Sequence, residues 1–149
     1  MTVYLSLGSN LGNREETINK ALELLATQIG PLIKRSSFYY SKPWGFTSEH
    51  DFCNICASFD TSLDPFALLR VTQAIEVELG RTEKSQEGIY HDRVIDIDIL
   101  QYFDNDGKEI NVNCQLSTVN SLTIPHKNMK NRDFVMIPLK EIAENISFL

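Results

Sequence analysis

The sequence has little cysteine, few cations and no long apolar run, and each shortage removes a class of answer. Three cysteines, Cys53, Cys56 and Cys114, are an odd count in a chain of 149 residues, so a disulfide framework is not expected. Lys and Arg number 14 against 20 Asp and Glu, giving a formal net charge of −6 and a pI near 5.0. Nucleic-acid binders gather a basic stripe and a high pI, so neither DNA nor RNA is an expected partner. No window approaches the ~20 apolar residues of a membrane span, and no membrane partner is expected. Met1-Thr2-Val3-Tyr4-Leu5 has no basic lead, so a signal peptide is not expected either. With its thiols expected to stay reduced, the chain has the cytoplasm as its expected address. A G-x-x-x-x-G-K-[ST] stretch is missing, which excludes a P-loop. Gly8-Ser9-Asn10 has no Lys and is no phosphate cradle by pattern. No repeat, low-complexity tract or linker divides residues 1–149, so one domain is expected.

What is present is an ordinary globular balance, 42% hydrophobic and 23% charged, in a readable order. Val3 to Leu7 is a short apolar run and reads as a strand. Asn13 with Glu16 three residues on forms a helix-start pair, and Ile18, Ala21, Leu22 and Leu25 follow at helical spacing. Gly30-Pro31 stops that helix. Ile33 to Ser41 reads as one strand and Phe52 to Thr61 as another, with a loop between them. Asp64-Pro65 opens a second helix, with Asp as cap and Pro at the first position, and Leu68, Thr72, Ile75 and Leu79 mark its inner face. Arg81 to Asp92 is polar and reads as a flexible loop. Val94 to Phe103 is a further strand. Asp104-Asn105-Asp106-Gly107 is a turn, after which Glu109 to Val112 is expected to return as a hairpin partner. Leu122 to His126 reads as a short strand, and Phe134 to Ile146 as a helix interrupted near Pro138. The order strand, helix, strand, strand, helix, strand predicts a ferredoxin-like βαββαβ α+β sandwich with additional C-terminal hairpin and helix elements. Right-handed crossovers place both helices on one sheet face, leaving the other for loops, the tail or a ligand.

Cys53 and Cys56 form a C-x-x-C inside the Phe52–Thr61 run. Positions three apart on a strand point to opposite faces, so the two thiols read as small buried apolar residues rather than a metal or redox pair.

The chemistry concentrates in Arg93-Val94-Ile95-Asp96-Ile97-Asp98-Ile99-Leu100. Asp is depleted in strands, and Asp96 and Asp98 lie two apart, hence on one face. At ~3.3 Å per residue their Cα atoms are about 6.6 Å apart, and two full charges there repel by roughly 2.5 kcal/mol at an effective dielectric of ~20. A divalent cation turns that repulsion into attraction, and hard oxygen ligands favour Mg²⁺. A bare D-x-D is more often an amphipathic strand with an acidic outer face. Here, however, Arg81, Lys84 and Arg93 precede or open the strand, and His126, Lys127, Lys130 and Arg132 cluster later. Cations gathered around metal-capable carboxylates are the recurrent equipment of phosphoryl transfer.

Five segments then occur in order: Gly8-Ser9-Asn10-Leu11-Gly12, Ser36-Ser37-Phe38-Tyr39, Gly80-Arg81, Arg93 to Asp98, and Ile124-Pro125-His126-Lys127-Asn128-Met129-Lys130-Asn131-Arg132-Asp133-Phe134. Together they resemble the 6-hydroxymethyl-7,8-dihydropterin pyrophosphokinase family of folate biosynthesis, over nearly the whole chain. The resemblance implies a ferredoxin-like core, ATP as co-substrate, two Mg²⁺ ions, and small-molecule substrates only. It implies that the pterin hydroxymethyl oxygen attacks the β-phosphorus of ATP and AMP leaves. Asp96 and Asp98 match the metal ligands, and with Arg81 and Arg93, which match phosphate-gripping arginines, they form the implied catalytic set. Ser41, Lys42, Trp44, Phe52, Asn54 and Phe134 match pterin-binding positions, the two Phe as a sandwich around the ring and Asn54 as a hydrogen-bonding partner at its edge. Gln73, Glu76, Ile99, Thr123, His126 and Arg132 match the nucleotide site.

The chain departs from the family pattern in places. Glu83 stands where many relatives carry a further Arg, and Lys84 joins the ATP-binding positions as a partial substitute, a point charge. Phe52 replaces a common Tyr, keeping the stacking face and losing a hydroxyl. Asn111 to Ser121 looks like an insertion. A monomer is compatible with this reading, which does not fix the oligomeric state.

Overall fold

Val3, Leu5 and Leu7 alternate along the first strand, β1 (Thr2–Ser9), and are fully buried. That alternation fixes which side of the sheet is core, because a strand's side chains change face at every residue. In the computed structural model, which describes residues 1–42, 51–80, 94–118 and 120–143, β1 is a central strand. It pairs antiparallel with β4 (Phe52–Asp60) on one side and with β5 (Asp96–Phe103) on the other. Two short strands, β2 (Leu32–Arg35) and β3 (Tyr39–Ser41), pair antiparallel with the far side of β4. The order β2-β4-β1-β5 with β3 beside β4 is the ferredoxin-like arrangement expected from the element sequence.

The helices follow their caps. In α1 (Arg14–Gln28) the Asn13 side chain accepts the Glu16 N–H at 3.2 Å and donates back to the Glu16 carboxylate at 3.0 Å. In α2 (Pro65–Glu78) the Asp64 carboxylate accepts the Ala67 N–H at 2.9 Å, with Pro65 at the first position. Ile18, Ala21, Leu22 and Leu25 from α1, and Leu68 and Ile75 from α2, bury against the Val3–Leu5–Leu7 face. After α1 the chain turns at Gly30, with φ 139°. A Cβ there would collide with the Asp60 backbone carbonyl, so only glycine fits.

The second core lies on the opposite face. Helix α3 (Asp133–Ile142) brings Val135, Met136, Leu139 and Ile142 onto Cys56 and Leu100. The Cys56 thiol donates to the Val135 carbonyl at 3.4 Å. At the helix's far end Glu141 accepts the Ser37 N–H at 3.0 and 3.1 Å and the Ser37 hydroxyl at 2.7 Å.

Several expectations change in detail. The Ile33–Ser41 run is two strands, because the Ser36 hydroxyl, rather than its carbonyl, accepts the Cys56 N–H at 3.0 Å, and the ladder resumes only at Tyr39 with Asn54. The strand expected from Val94 starts at Asp96. The return after the turn is short: Glu109 makes an isolated antiparallel bridge to Phe103, and the Ile110 N–H donates to the Tyr102 carbonyl at 2.8 Å. Val112 instead opens β6 (Val112–Gln115), which pairs with β7 (Ser121–Ile124). The apparent insertion Asn111–Ser121 therefore supplies a strand that supports β7. Helix α3 runs through Pro138 without interruption; proline omits a single N–H, and its ring is buried. The expected loops at 43–50 and 81–92, and any helix beyond residue 143, lie outside the described residues.

Candidate functional site

The register of β1 decides what the α3-side face presents. Gly8 lies opposite Asn54 on β4 and opposite Asp96 on β5; Ser6 lies opposite Cys56 and Asp98. Directly paired residues share a face. Two rows therefore cross the sheet, Asn54–Gly8–Asp96 and Cys56–Ser6–Asp98, and Phe52 shares the same face two residues before Asn54. Both carboxylates are partly exposed while Ile95, Ile97 and Ile99 are buried, as the D-x-D alternation predicted. The middle strand carries only Gly and Ser in these rows. The middle strand therefore sets no large side chain of its own between the carboxylates and Asn54.

At the acceptor end, Asn54 is 4% exposed and its Nδ2 has no hydrogen-bond partner among the described residues. A buried amide donor without a partner costs about 1–3 kcal/mol, so it points to a ligand acceptor. The Ser41 hydroxyl, paired across to Phe52, is also buried and unpartnered. Lys42 is exposed. Phe134, at the start of α3, is half-buried against the Cys56–Leu100 cluster, one residue from the Val135 carbonyl that receives the Cys56 thiol. Phe52 and Phe134 thus border one face from β4 and from α3. Arg132 is 6% exposed and its guanidinium stands over the Phe134 ring at 5.6 Å.

At the other end, a cleft of about 150 Å³ beside β5 is lined by Asp98, Ile99, Thr123, His126 and Lys127, with Leu69 from α2. It brings together Asp98, Ile99, Thr123 and His126 of the residues matched to the site and Lys127 of the cation cluster. His126 is fixed from two sides: its N–H donates to the Leu100 carbonyl at 2.9 Å, and its Nδ1 accepts the Asn128 N–H at 3.2 Å. Burial pushes His126 down to about 4, helped by the Arg132 and Lys127 charges and opposed by Asp96. At neutral pH it is an uncharged imidazole whose Nε2 carries the proton.

Not every named residue lines the cleft. Gln73 is half-buried on α2. Glu76 is 5% exposed, and its carboxylate accepts the Ile97 N–H at 2.8 Å. It therefore ties α2 to the edge of β5 at the peptide between the two aspartates. Trp44, Arg81, Glu83, Lys84 and Arg93 lie outside the described residues. A larger cavity of about 730 Å³ at the other end of β1, lined by Tyr4, Gln101 and Phe103, contains none of these side chains.

Asp96 and Asp98 fit a Mg²⁺ site. No third His, Cys, Asp or Glu groups with them among the described residues, and Mg²⁺ characteristically takes only one or two carboxylates and fills its shell with water and phosphate oxygens. The C-x-x-C behaves as expected: Cys53 packs with the α1–α2 core and Cys56 with α3, so the thiols face apart. Burial pushes both upward, Cys53 to about 11. The sequence places Lys127 only in a cation cluster and Gly8 only in a family segment, without a site role for either, and does not single out Leu69.

Residues 4–144 match the family described as 7,8-dihydro-6-hydroxymethylpterin-pyrophosphokinase (HPPK). The chain is 48% identical to a 2-amino-4-hydroxy-6-hydroxymethyldihydropteridine pyrophosphokinase of Porphyromonas gingivalis, over 95% of this chain and 90% of the relative. It is 40% identical to the protein of that name from Haemophilus influenzae, over 98% and 84%. Among solved structures it resembles an HPPK–DHPS in complex with substrates, with a TM-score of 0.63 and 16% identity, over 95% of this chain and 40% of that one. That likeness concerns the fold.

Proposed function

The chain belongs to the 7,8-dihydro-6-hydroxymethylpterin-pyrophosphokinase family, and from that premise we propose how its residues divide the work. The activity is diphosphate transfer from ATP to the hydroxymethyl group of 6-hydroxymethyl-7,8-dihydropterin, in folate biosynthesis. Asn54, Ser41, Lys42, Phe52 and Phe134 hold the pterin, with Trp44 assigned by resemblance alone. Ile99, Thr123 and His126 line the nucleotide side, with Gln73 and Glu76 behind them on α2 and Arg132, beside Phe134, assigned to the nucleotide by resemblance. Asp96 and Asp98 stand between the two and hold Mg²⁺, two ions by resemblance. Arg81, Lys84 and Arg93 are assigned to the phosphates by resemblance alone. The whole chain acts as one catalytic domain, with a cytoplasmic address supported by its two buried free thiols.

The observation that carries this reading is the pair of rows crossing β4, β1 and β5. It sets an amide donor without a partner among the described residues and two carboxylates on one face, with Gly8 and Ser6 between them on β1. In the reaction the hydroxymethyl oxygen gives up its proton to solvent and forms a bond to the β-phosphorus, the bond from that phosphorus to the α-phosphate bridging oxygen breaks, and AMP leaves with the electron pair. Bound Mg²⁺ neutralises phosphate charge and lowers the pKa of the attacking hydroxyl. The chain's own contribution is placement and electrostatics. Asn54 and the two Phe faces orient the ring. Asp96 and Asp98 set where positive charge collects. A neutral His126 offers an Nε2 donor to the nucleotide. Incubation with ATP, Mg²⁺ and the hydroxymethyl dihydropterin is expected to yield AMP and a pterin diphosphate in equal amounts. ADP in place of AMP would contradict diphosphate transfer.

A further inference from the structure

We infer that Gly8 is a positioning residue for the pterin acceptor: its missing side chain is the space in which the Asn54 carboxamide lies. This rests on the reading of Asn54 as a pterin contact.

Gly8 is not among the glycines with positive φ, so its backbone is ordinary strand that any residue adopts. Glycine inside a strand weakens it and commonly marks a close approach; here the approach comes from side chains. A Cβ on Gly8 would collide with Asn54 Oδ1, lie 3.4 Å from Asn54 Cγ and come within 3.8 Å of Phe52 Cδ1. Asn54 and Asp96 flank Gly8 in the register. An Asn54 side chain lying over Gly8 therefore leans from β4 toward the metal-ligand strand. It is the Oδ1 arm of the carboxamide that lies over Gly8, so the position of Gly8 fixes the rotation that sets where the Nδ2 arm, without a partner among the described residues, is held.

Gly30 makes the contrast. There an added Cβ meets the fixed backbone carbonyl of Asp60 at positive φ, and the loss would be one of folding. At Gly8 the obstacle is the end of a side chain that can rotate away. A methyl group at Gly8 is therefore tolerated by the fold, at the expense of where Asn54 points.

The test uses the full chain and measures binding of 6-hydroxymethylpterin by fluorescence, with a non-hydrolysable ATP analogue and Mg²⁺ present. Binding of the analogue alone and the melting temperature are measured beside it. For Gly8→Ala the pterin Kd is expected to rise about 10- to 100-fold, the worth of a mis-aimed buried hydrogen bond. Analogue affinity should stay within about twofold, the reproducibility expected of a site left intact. In an Asn54→Ala background, which itself weakens pterin binding, Gly8→Ala should add less than about twofold, because the obstructed group is gone. If Gly8→Ala adds its full loss in that background, or changes nothing in the wild type, the inference fails and the Asn54 assignment stands. If Asn54→Ala alone leaves pterin binding unchanged, the underlying reading fails and takes the inference with it. A drop in melting temperature that persists in the Asn54→Ala background would mark a packing role and overturn the inference too.

Discussion

The two faces of one sheet do different jobs, and the same strands supply both. On the α1–α2 side β1, β4 and β5 present Val3, Leu5, Leu7, Ile55, Ala57, Ile97 and Ile99, all buried. On the α3 side the same strands present Gly8, Ser6, Asn54, Asp96 and Asp98. Alternation along a strand lets one segment pack a core with its odd positions and hold reactive groups with its even ones. The first face is packed throughout; the second is packed only where α3 covers it, and beside that core it carries a buried amide without a partner among the described residues and two neighbouring carboxylates. Helix α3 covers only part of that second face, and Glu141 on Ser37 holds it so that Phe134 and Arg132 stand at its border.

Substitutions on the two faces should have separable effects. The largest effect is expected on the reactive face: Asp96→Asn or Asp98→Asn should lower turnover by at least about a hundredfold, the scale on which a single preorganised electrostatic partner acts, with the circular-dichroism melt unchanged. Near-normal AMP production in both would end the metal assignment. Next comes the packed face. Leu5→Ala should destabilise the fold by about 2–5 kcal/mol in denaturant unfolding, while the KM values of the surviving folded enzyme stay close to wild type. A mixed result, with Leu5→Ala altering KM more than stability, would dissolve the division between faces.

A smaller effect concerns His126. Its folded pKa, pushed by burial to about 4, lies below the ordinary 6.5. Between those values the unfolded chain binds more protons, so stability should fall as pH drops from about 6.5 toward 4, by roughly 2–3 kcal/mol. Above about 6.5 this residue makes stability no longer pH-dependent. Comparing unfolding midpoints of wild type and His126→Gln across pH isolates it; parallel curves would contradict the assignment. Smallest is the staple: Glu141→Ala should cost about 1 kcal/mol and raise the pterin KM modestly through Phe134, leaving the ATP KM unchanged. An equal change in both would mean that α3 serves the whole site.

Much of this was legible in the sequence where the cause is local. Asn13 and Asp64 cap helices through residues three positions away, and Asp96 and Asp98 share a face by period alone. Cys53 and Cys56 were expected to face apart for the same reason. What could not be read depends on neighbours from elsewhere in the chain. Ser36 splits a strand because its hydroxyl meets Cys56, and Pro138 lies within a helix packed on the sheet, a tertiary setting its own sequence neighbourhood does not show. Glu76 was assigned to the nucleotide from resemblance, yet its described partner is the Ile97 N–H on a strand whose place at the sheet edge only the topology reveals. Gly8 opens a family segment but has no role there, because a missing side chain is informative only once Asn54 is seen lying over it.

The central claim is that Asp96 and Asp98 make this face a Mg²⁺-dependent nucleotide site without contributing to the packed core. Calorimetry of a non-hydrolysable ATP analogue, with and without Mg²⁺, on wild type and on the Asp96→Asn/Asp98→Asn double variant tests it directly. The account predicts Mg²⁺-dependent binding in the wild type and loss of that dependence in the variant, with unchanged melting temperature. A double variant that still binds the analogue more tightly with Mg²⁺ would contradict it.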